Sequence, residues 1–205
     1  LLYQFYGVPD DKLVPFAYSW GYESHLQAWK DLEPRRSELR AQQGIAEDSF
    51  LILYCGRLST EKRIGDLLEA YQRLNCQNKT LTIVGDGQFR KILQDYTEDH
   101  NLGSVRFCGF RDRNEINNFY ATADLLVLPS GRETWGIVVS EAMCFALPVV
   151  ASDQVGACCD LVRVGGNGFT SPSGDVDALA GRLQKITDLT GGVQRLKAYR
   201  PSGRL

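Results

Sequence analysis

One stretch decides the fold class of this chain: the sequence LILYCG, from Leu51 to Gly56. An apolar run of this length that ends in glycine is typical of a strand buried on both faces of a parallel sheet. Similar runs follow in order along the chain: Thr80–Val84, Val105–Gly109, Asp124–Leu128 and Pro148–Ala151. We therefore predict a sheet of five buried strands.

The segments between these runs predict helices, because their apolar residues recur three and four positions apart. Asp112 followed by Glu115 predicts a capping box at the start of one helix, and Asp175 predicts the cap of the last helix. Strands that alternate with helices predict an α/β fold class, a doubly wound parallel sheet with helices on both faces.

The predicted domain organisation has three parts. Residues 1–50 are a connector from a missing N-terminal domain, extended over Lys12–Ser19 and helical over Trp29–Gln43. Residues 51–190 are the α/β domain, and residues 191–205 are a C-terminal tail that we expect to be disordered. Because the chain opens without an initiating methionine, we expect a preceding region in the whole protein.

Composition excludes several classes of function. A formal net charge of -2 and a pI near 5.8 provide no basic field for nucleic acid or for an anionic membrane. No apolar stretch is long enough to span a bilayer. The six cysteines have no zinc-ligand spacing, and Cys55 and Cys108 end apolar runs, so we predict reduced core thiols, no metal site and a cytoplasmic protein.

The residues directly after each strand are the candidates for a site, since a doubly wound sheet binds its ligand beyond the carboxyl ends of its strands. Gly56 allows a close backbone approach after the first strand, and Arg57 and Lys62 could together neutralise a diphosphate. The alternative is that both cations are solvated surface charges paired with Glu61 or Asp66.

The second strand ends in Gly85-Asp86-Gly87, which is similar to a dinucleotide-binding turn. Arg90 stands where the third glycine of that turn should be, so the motif fails as an NAD fingerprint. We expect the two glycines to form the turn and to leave room for a ligand.

After the fourth strand, a glycine-containing loop enters a helix, whose free N–H groups and dipole make an anion site. Glu133 lies before this helix and Glu141 lies about one turn inside it, so both carboxylates can face one cleft and accept sugar hydroxyls. The alternative makes Glu133 a partner of the helix dipole and Glu141 a salt-bridged surface residue.

Taken together, these motifs resemble the C-terminal domain of retaining glycosyltransferases of the GT-B fold, of the group 1 or family 4 type. That family includes sucrose-phosphate synthases, bacterial mannosyltransferases and many cell-surface polysaccharide enzymes. The resemblance covers roughly residues 50 to 188 and implies a Rossmann-like domain. It is carried by these motifs, in order: Gly56-Arg57, Glu61-Lys62, Gly85-Asp86-Gly87, Phe107-Cys108-Gly109-Phe110, Glu133 with Glu141, and Ala146-Leu147-Pro148-Val149-Val150-Ala151.

The resemblance implies a role for each matching residue in binding a nucleoside-diphosphate sugar. Arg57 and Lys62 would hold the diphosphate and stabilise the departing nucleotide, and with Glu133, which would bind the donor sugar, they form the implied catalytic set. Glu141 would bind the ribose hydroxyls. The full implied donor site comprises Gly56, Arg57, Lys62, Gly85, Phe110, Arg111, Glu133, Thr134, Trp135, Gly136, Ile137, Val138 and Glu141.

The same resemblance implies no cofactor and no metal, because the family needs no Asp-x-Asp metal motif. The acceptor stays open as a sugar, a lipid or a small molecule. The missing N-terminal domain would supply the acceptor site and any peripheral contact with a membrane.

Three positions depart from the family pattern. Ala146 stands where glycine is usual, and Trp135 stands where phenylalanine is common. Ala157-Cys158-Cys159-Asp160 replaces a Gly-x-x-Glu pattern in the loop near the donor sugar, which could alter the choice of sugar.

Other functions compete with this one. A donor-binding module without turnover would have the same site, whereas an epimerase or a phosphorylase of the GT-B fold would need a different catalytic set. A Rossmann dehydrogenase shares the sheet pattern, but the failed glycine fingerprint disfavours it.

Overall fold

Six parallel strands form one sheet at the centre of the structure, a computed structural model that describes residues 5–13 and 21–190. The strands are β1 Phe50–Cys55, β2 Lys79–Val84, β3 Val105–Gly109, β4 Leu125–Leu128, β5 Val149–Ser152 and β6 Gly168–Ser171. Their order in the sheet is β3-β2-β1-β4-β5-β6, with β1 paired to β2 on one side and to β4 on the other. This is the strand order of a doubly wound Rossmann-like fold, as predicted.

Eight helices of the described residues surround the sheet: α1 Tyr22–Leu32, α2 Arg36–Gln42, α3 Ile64–Arg73, α4 Arg90–Asp99, α5 Arg113–Thr122, α6 Ile137–Cys144, α7 Gly156–Leu161 and α8 Val176–Thr190. Helix α3 contacts both α4 and α8, and α1 contacts both α5 and α6. Shorter 3-10 turns lie at Asp10–Lys12, Glu33–Arg35 and Thr60–Lys62.

The core lies in the middle of the sheet, where apolar side chains are buried on both faces. Every residue of β1, β4 and β5 is buried, and Ile52 pairs with Leu125 at the centre. The prediction of doubly buried parallel strands is therefore confirmed for these three elements. By contrast, all residues of β3, one of the two edge strands, are only partly buried.

The predicted helix caps are also confirmed. The Asp112 carboxylate accepts hydrogen bonds from the N–H groups of Asn114 at 2.8 Å and Glu115 at 2.9 Å, and Glu115 accepts one from the Asp112 N–H at 3.1 Å. The Asp175 carboxylate accepts one from the Ala178 N–H at 2.8 Å.

The prediction of five strands was wrong by one, because β6 was missed. This strand reads GFTS, begins with glycine and has only four residues, so its sequence lacks an apolar run. The short helix α7 was also missed, and it contains the Ala157–Asp160 segment that we had expected to be a loop.

Residues before β1 pack against the α/β unit. Helices α1 and α2 contact α5, and α1 also contacts α6. Helix α1 begins at Tyr22, seven residues before the predicted helical segment. Most of the predicted extended segment and the whole predicted tail lie outside the described residues. The assignment of residues 1–50 to a connector stays a prediction.

Helix α2 is attached to the amino-terminal edge of the sheet by a buried ion network. Arg36 and Arg40 both pair with Asp124, the residue before β4, at 2.5 and 3.4 Å. The Asp124 carboxylate also accepts a hydrogen bond from the Leu51 N–H at 2.8 Å. Arg40 and Asp124 are 1% and 2% exposed, so this network lies in the interior, at the opposite edge of the sheet from the carboxyl ends of the strands.

Candidate active site

A cavity of about 530 Å³ opens beside the carboxyl ends of β1 and β2 and the start of α6. This is the crevice where the strand order reverses, at which doubly wound sheets bind ligands. The predicted site residues that line it are Gly56, Arg57, Gly85, Phe110, Arg111, Ile137, Val138 and Glu141. The structure therefore brings the loops after β1, β2 and β3 to the same cleft as α6.

Backbone contact between two of these loops explains their glycines. The Gly56 N–H donates to the Val84 carbonyl at 3.0 Å, and a Cβ atom at Gly85 would lie 1.9 Å from the Gly56 carbonyl oxygen. A Cβ atom at Gly87 would lie 2.3 Å from the carbonyl oxygen of Leu58. Both glycines are thus required for the packing of one loop on another, in addition to the turn that we predicted.

Arg57 is an exposed cation on the wall of the cleft. The ion pairs of the described residues leave Arg57 without a carboxylate partner, because Asp66 pairs with Arg63 at 2.6 Å and Glu61 accepts a hydrogen bond from Ser59 at 2.7 Å. Asp66 is therefore engaged elsewhere, whereas the pKa of Glu61 is lowered first by the hydrogen bond from Ser59 and further by the charges of Lys62 and Arg57. The Arg57 guanidinium is available to an anionic ligand.

Lys62 and Glu133 form an ion pair with each other. Both side chains are mostly buried, at 18% and 20% exposed, and neither lines the cavity. Neither the predicted diphosphate contact nor the alternatives that we weighed included this pairing. It places the two charges next to each other outside the cleft that holds Arg57 and Glu141.

Thr134, Trp135 and Gly136 also lie outside the lining of the cavity. They form a segment that packs on the start of α7, where the Trp135 carbonyl accepts a hydrogen bond from the Ala157 N–H at 2.7 Å. Gly136 has a φ of 90°, and a Cβ atom there would lie 2.8 Å from a methyl group of Val155. Glycine is required here because both the backbone and the space exclude a side chain.

Helix α6 begins immediately after Gly136 and directs its first turn toward the cleft, which Ile137 and Val138 line. The first N–H groups of a helix have no acceptor within the helix, and they carry the positive end of its dipole. The local geometry is therefore that of an anion site.

Glu141 lies one turn inside α6 with its side chain 14% exposed. The Tyr120 hydroxyl donates to its Oε2 at 2.8 Å, and Nε2 of His25 lies 3.5 Å from its Oε1. Burial opposes ionisation of this carboxyl, but the contacts with His25 and Tyr120 and the charge of Arg113 outweigh it and lower the pKa of Glu141. The alternative of an exposed, salt-bridged Glu141 was wrong, because its partners are buried.

Sequence analysis missed three residues at this site. Tyr120 and Arg113 line the cleft, and His25 reaches Glu141 from α1. The sequence indicated Tyr120 only as part of an apolar helix face. His25 and Arg113 had no local signal, because each is close to the cleft only in the folded chain.

Among the described residues, no group of three or more histidine, cysteine, aspartate or glutamate side chains could hold a metal ion. None of the described helices has the length and apolarity needed to cross a membrane. The cysteines are free, and burial raises the pKa of Cys55 and, less strongly, that of the partly buried Cys108.

Residues 35–202 match the model of a protein family described as glycosyl transferases group 1. The chain is 31% identical over 189 residues to an uncharacterized glycosyltransferase of Methanocaldococcus jannaschii, covering 88% of this chain and 46% of that protein. It is 35% identical over 159 residues to the glycogen synthase of Mycobacterium tuberculosis, covering 76% of this chain and 37% of that enzyme.

Solved structures with the same fold include sucrose-phosphate synthase from Thermosynechococcus elongatus, with a TM-score of 0.69 and 30% identity over 78% of this chain and 42% of that one. HepE of Anabaena in complex with UDP has a TM-score of 0.75 and 26% identity, covering 96% of this chain and 53% of that one. The chain thus spans about half the length, or less, of these relatives.

Proposed function

This chain belongs to the glycosyl transferases of group 1, and we propose that it is the donor-binding half of a retaining transferase. The whole protein would move a glycosyl group from a nucleoside-diphosphate sugar to an acceptor. The acceptor site would belong to the part of the relatives that this chain does not match. On its own, the chain would bind donor without turnover.

One observation carries this proposal: a single cleft holds the exposed guanidinium of Arg57, for which the described residues provide no ion pair, the first turn of α6, and the mostly buried carboxylate of Glu141. The guanidinium and the helix N–H groups suit a diphosphate, and a carboxylate suits ribose hydroxyls. HepE of Anabaena, whose fold is similar, was solved in complex with UDP, which supports a nucleoside diphosphate as the class of ligand.

Lys62 and Glu133 form an ion pair, so the proposal treats their roles in donor binding together. The pair holds a cation and a carboxylate close together before the donor arrives. We propose that the diphosphate replaces Glu133 as the partner of Lys62, which frees Glu133 to accept hydroxyl hydrogen bonds from the donor sugar.

In the proposed reaction, the leaving phosphate oxygen helps to deprotonate the acceptor on the same face of the sugar, which retains the anomeric configuration. Arg57, Lys62 and the N–H groups of α6 stabilise the charge that develops on the departing nucleotide. Such groups act by electrostatic preorganisation. We propose that these fixed cations replace a metal ion and that no cofactor takes part.

The test is calorimetric titration of the chain with UDP, GDP, ADP and NAD, with and without magnesium. We expect one nucleoside diphosphate to bind with the same affinity in both conditions. Arg57→Ala should weaken its binding about 10- to 100-fold, which is the effect of losing a hydrogen bond to a charged group. Lys62→Ala should weaken it in the same direction.

Arg73→Ala is the matched control, because Arg73 is an exposed arginine on α3 that pairs with Glu69. The Arg73→Ala variant should bind the nucleoside diphosphate with the same affinity as the unmodified chain. Unchanged affinity in both the Arg57 and Lys62 variants would contradict the proposal, and binding of NAD alone would indicate a dehydrogenase.

A further inference from the structure

Both carboxylate oxygens of Glu141 are engaged by buried side chains from two other helices. Tyr120 on α5, with 0% exposure, donates to Oε2 at 2.8 Å. His25 on α1, with 1% exposure, brings its Nε2 atom to 3.5 Å from Oε1. One side chain of the cleft therefore accepts a hydrogen bond from Tyr120 on one oxygen and lies within ion-pair distance of His25 on the other.

His25 is itself held in a defined orientation. Its Nδ1 atom is 2.8 Å from Oδ1 of Asn117 on α5, and its ring packs edge-on against Phe145 at 6.3 Å between centroids. Because an amide oxygen can only accept, Nδ1 is the donor in this hydrogen bond. The opposite ring nitrogen, Nε2, faces Glu141, and it can donate to that carboxylate only when it carries a proton as well.

This arrangement leaves part of the carboxylate unused. A carboxylate has about four lone-pair positions, and Tyr120 and His25 are each directed at one of its oxygens. Glu141 also lines the cleft, so the remaining positions are available to a ligand there. A glutamate that is held in one rotamer before binding loses less conformational freedom when a ligand arrives.

We propose that His25 is a positioning residue that orients Glu141 toward the ribose hydroxyls of the donor. The inference rests on the proposed function, in which Glu141 binds the ribose. It extends that function to α1, a helix that precedes the first strand and that our sequence analysis did not connect with the donor.

The experiment compares ribose recognition in variants of the whole 205-residue chain. The probes are the tightest-binding member of the UDP, GDP and ADP panel and its 2′,3′-dideoxy counterpart, which lacks both hydroxyls. The ratio of their two affinities measures ribose preference. A purely structural defect would weaken both ligands equally and would leave this ratio unchanged.

Two substitutions separate the two nitrogens of His25. His25→Asn keeps an amide donor near the position of Nδ1 and removes the group that faces Glu141. His25→Gln keeps a donor near the position of Nε2. His100→Asn is the control, because His100 is the only other histidine of the chain and lies exposed at the end of α4, stacked on Tyr96.

We expect the unmodified chain to prefer the ribose form by about tenfold or more, as for a hydrogen bond to a charged acceptor. His25→Asn and Glu141→Gln should each remove most of this preference, whereas His25→Gln and His100→Asn should keep it. Circular dichroism of each variant would verify that it is folded, and His25→Gln provides a second variant if His25→Asn does not fold.

Failure of the inference about His25 can be distinguished from failure of the proposed role of Glu141. If Glu141→Gln removes the preference and His25→Asn does not, the positioning role of His25 is wrong and the proposed function stands. If Glu141→Gln keeps the preference, Glu141 does not bind the ribose, and both the proposed role of Glu141 and the inference about His25 are overturned.

Discussion

Ala146 adopts a left-handed backbone conformation, with a φ of 56°. It follows α6 as part of a Schellman-type end, in which the Leu147 N–H donates to the Ala142 carbonyl at 3.1 Å and the Ala146 N–H donates to Met143 at 3.0 Å. Glycine is the residue favoured at this position of the motif. This conformation explains why the related family pattern has glycine where this chain has alanine.

We predict that Ala146→Gly raises the free energy of unfolding by about 0.5–1 kcal/mol, because relief of the left-handed strain exceeds the entropy lost by glycine. Urea denaturation would measure this change in the free energy of unfolding. The matched control, Ala142→Gly, lies inside α6 with its methyl group buried and should lower the same free energy by at least about 1 kcal/mol. A change of the same sign in the free energy of unfolding of both variants would contradict the prediction.

The lowered pKa of Glu141 predicts how the stability of the protein depends on pH. A carboxyl whose pKa is lower in the folded state stabilises the protein above its unfolded pKa, and this contribution is lost as the pH falls through the folded pKa. Glu141→Gln should therefore be less stable than the unmodified chain at pH 7. The difference should narrow below about pH 4.3, the ordinary pKa of glutamate.

Urea denaturation at pH 7, 5 and 3.5 would measure this difference. Glu69→Gln is the control, since Glu69 lies on the surface of α3 in an exposed pair with Arg73. A difference between Glu141→Gln and the unmodified chain that stays constant with pH would show that Glu141 has the same pKa in the folded and unfolded states.

At the scale of the elements, the attachment of α2 to the sheet depends on one buried carboxylate. Asp124 pairs with Arg36 and Arg40 and accepts a hydrogen bond from the Leu51 N–H. Its removal leaves two arginines without their carboxylate in the interior. Loss of one partner from a buried ion pair costs about 3–5 kcal/mol.

We therefore predict that Asp124→Ala lowers the free energy of unfolding by about 3–5 kcal/mol. The control is Glu38→Ala, which breaks an exposed pair between α2 and Arg35, the residue before it, and should leave the free energy of unfolding nearly unchanged. Similar losses in the two variants, measured by urea denaturation, would mean that the buried network does not hold α2 in place.

At the scale of the whole molecule, helices α1 and α2 behave as part of the α/β unit. They bury His25, Leu39 and Arg40, and they supply both partners of Asp124. We predict that a chain without residues 1–43 loses cooperative thermal unfolding and binds nucleoside diphosphate at least about tenfold more weakly, since it lacks the contact with Glu141.

Circular dichroism and calorimetry of this shortened chain, next to the whole chain, would test the prediction. A cooperative transition with unchanged affinity would instead support a domain that begins near residue 50, as the sequence suggested. The outcome therefore decides where the donor-binding unit begins.

Local signals in the sequence determined most of the sheet and the helix caps. The run Leu51–Cys55 is a strand because consecutive apolar residues must be buried on both faces, and the Asp112 cap forms within four residues of chain. In contrast, the glycine at the start of β6 reflects a contact with a distant segment. Strand β6 lies against β5, and a Cβ atom at Gly168 would be 2.2 Å from the Val149 carbonyl oxygen.

The candidate site divides in the same way. The sequence by itself determined which loops reach the cleft, because the carboxyl ends of parallel strands meet at one edge of the sheet. Only the tertiary structure decided that Lys62 faces Glu133 and that His25 faces Glu141. The physical reason is that hydrogen bonds and ion pairs between distant segments depend on how helices pack, and no pattern along the chain records that geometry.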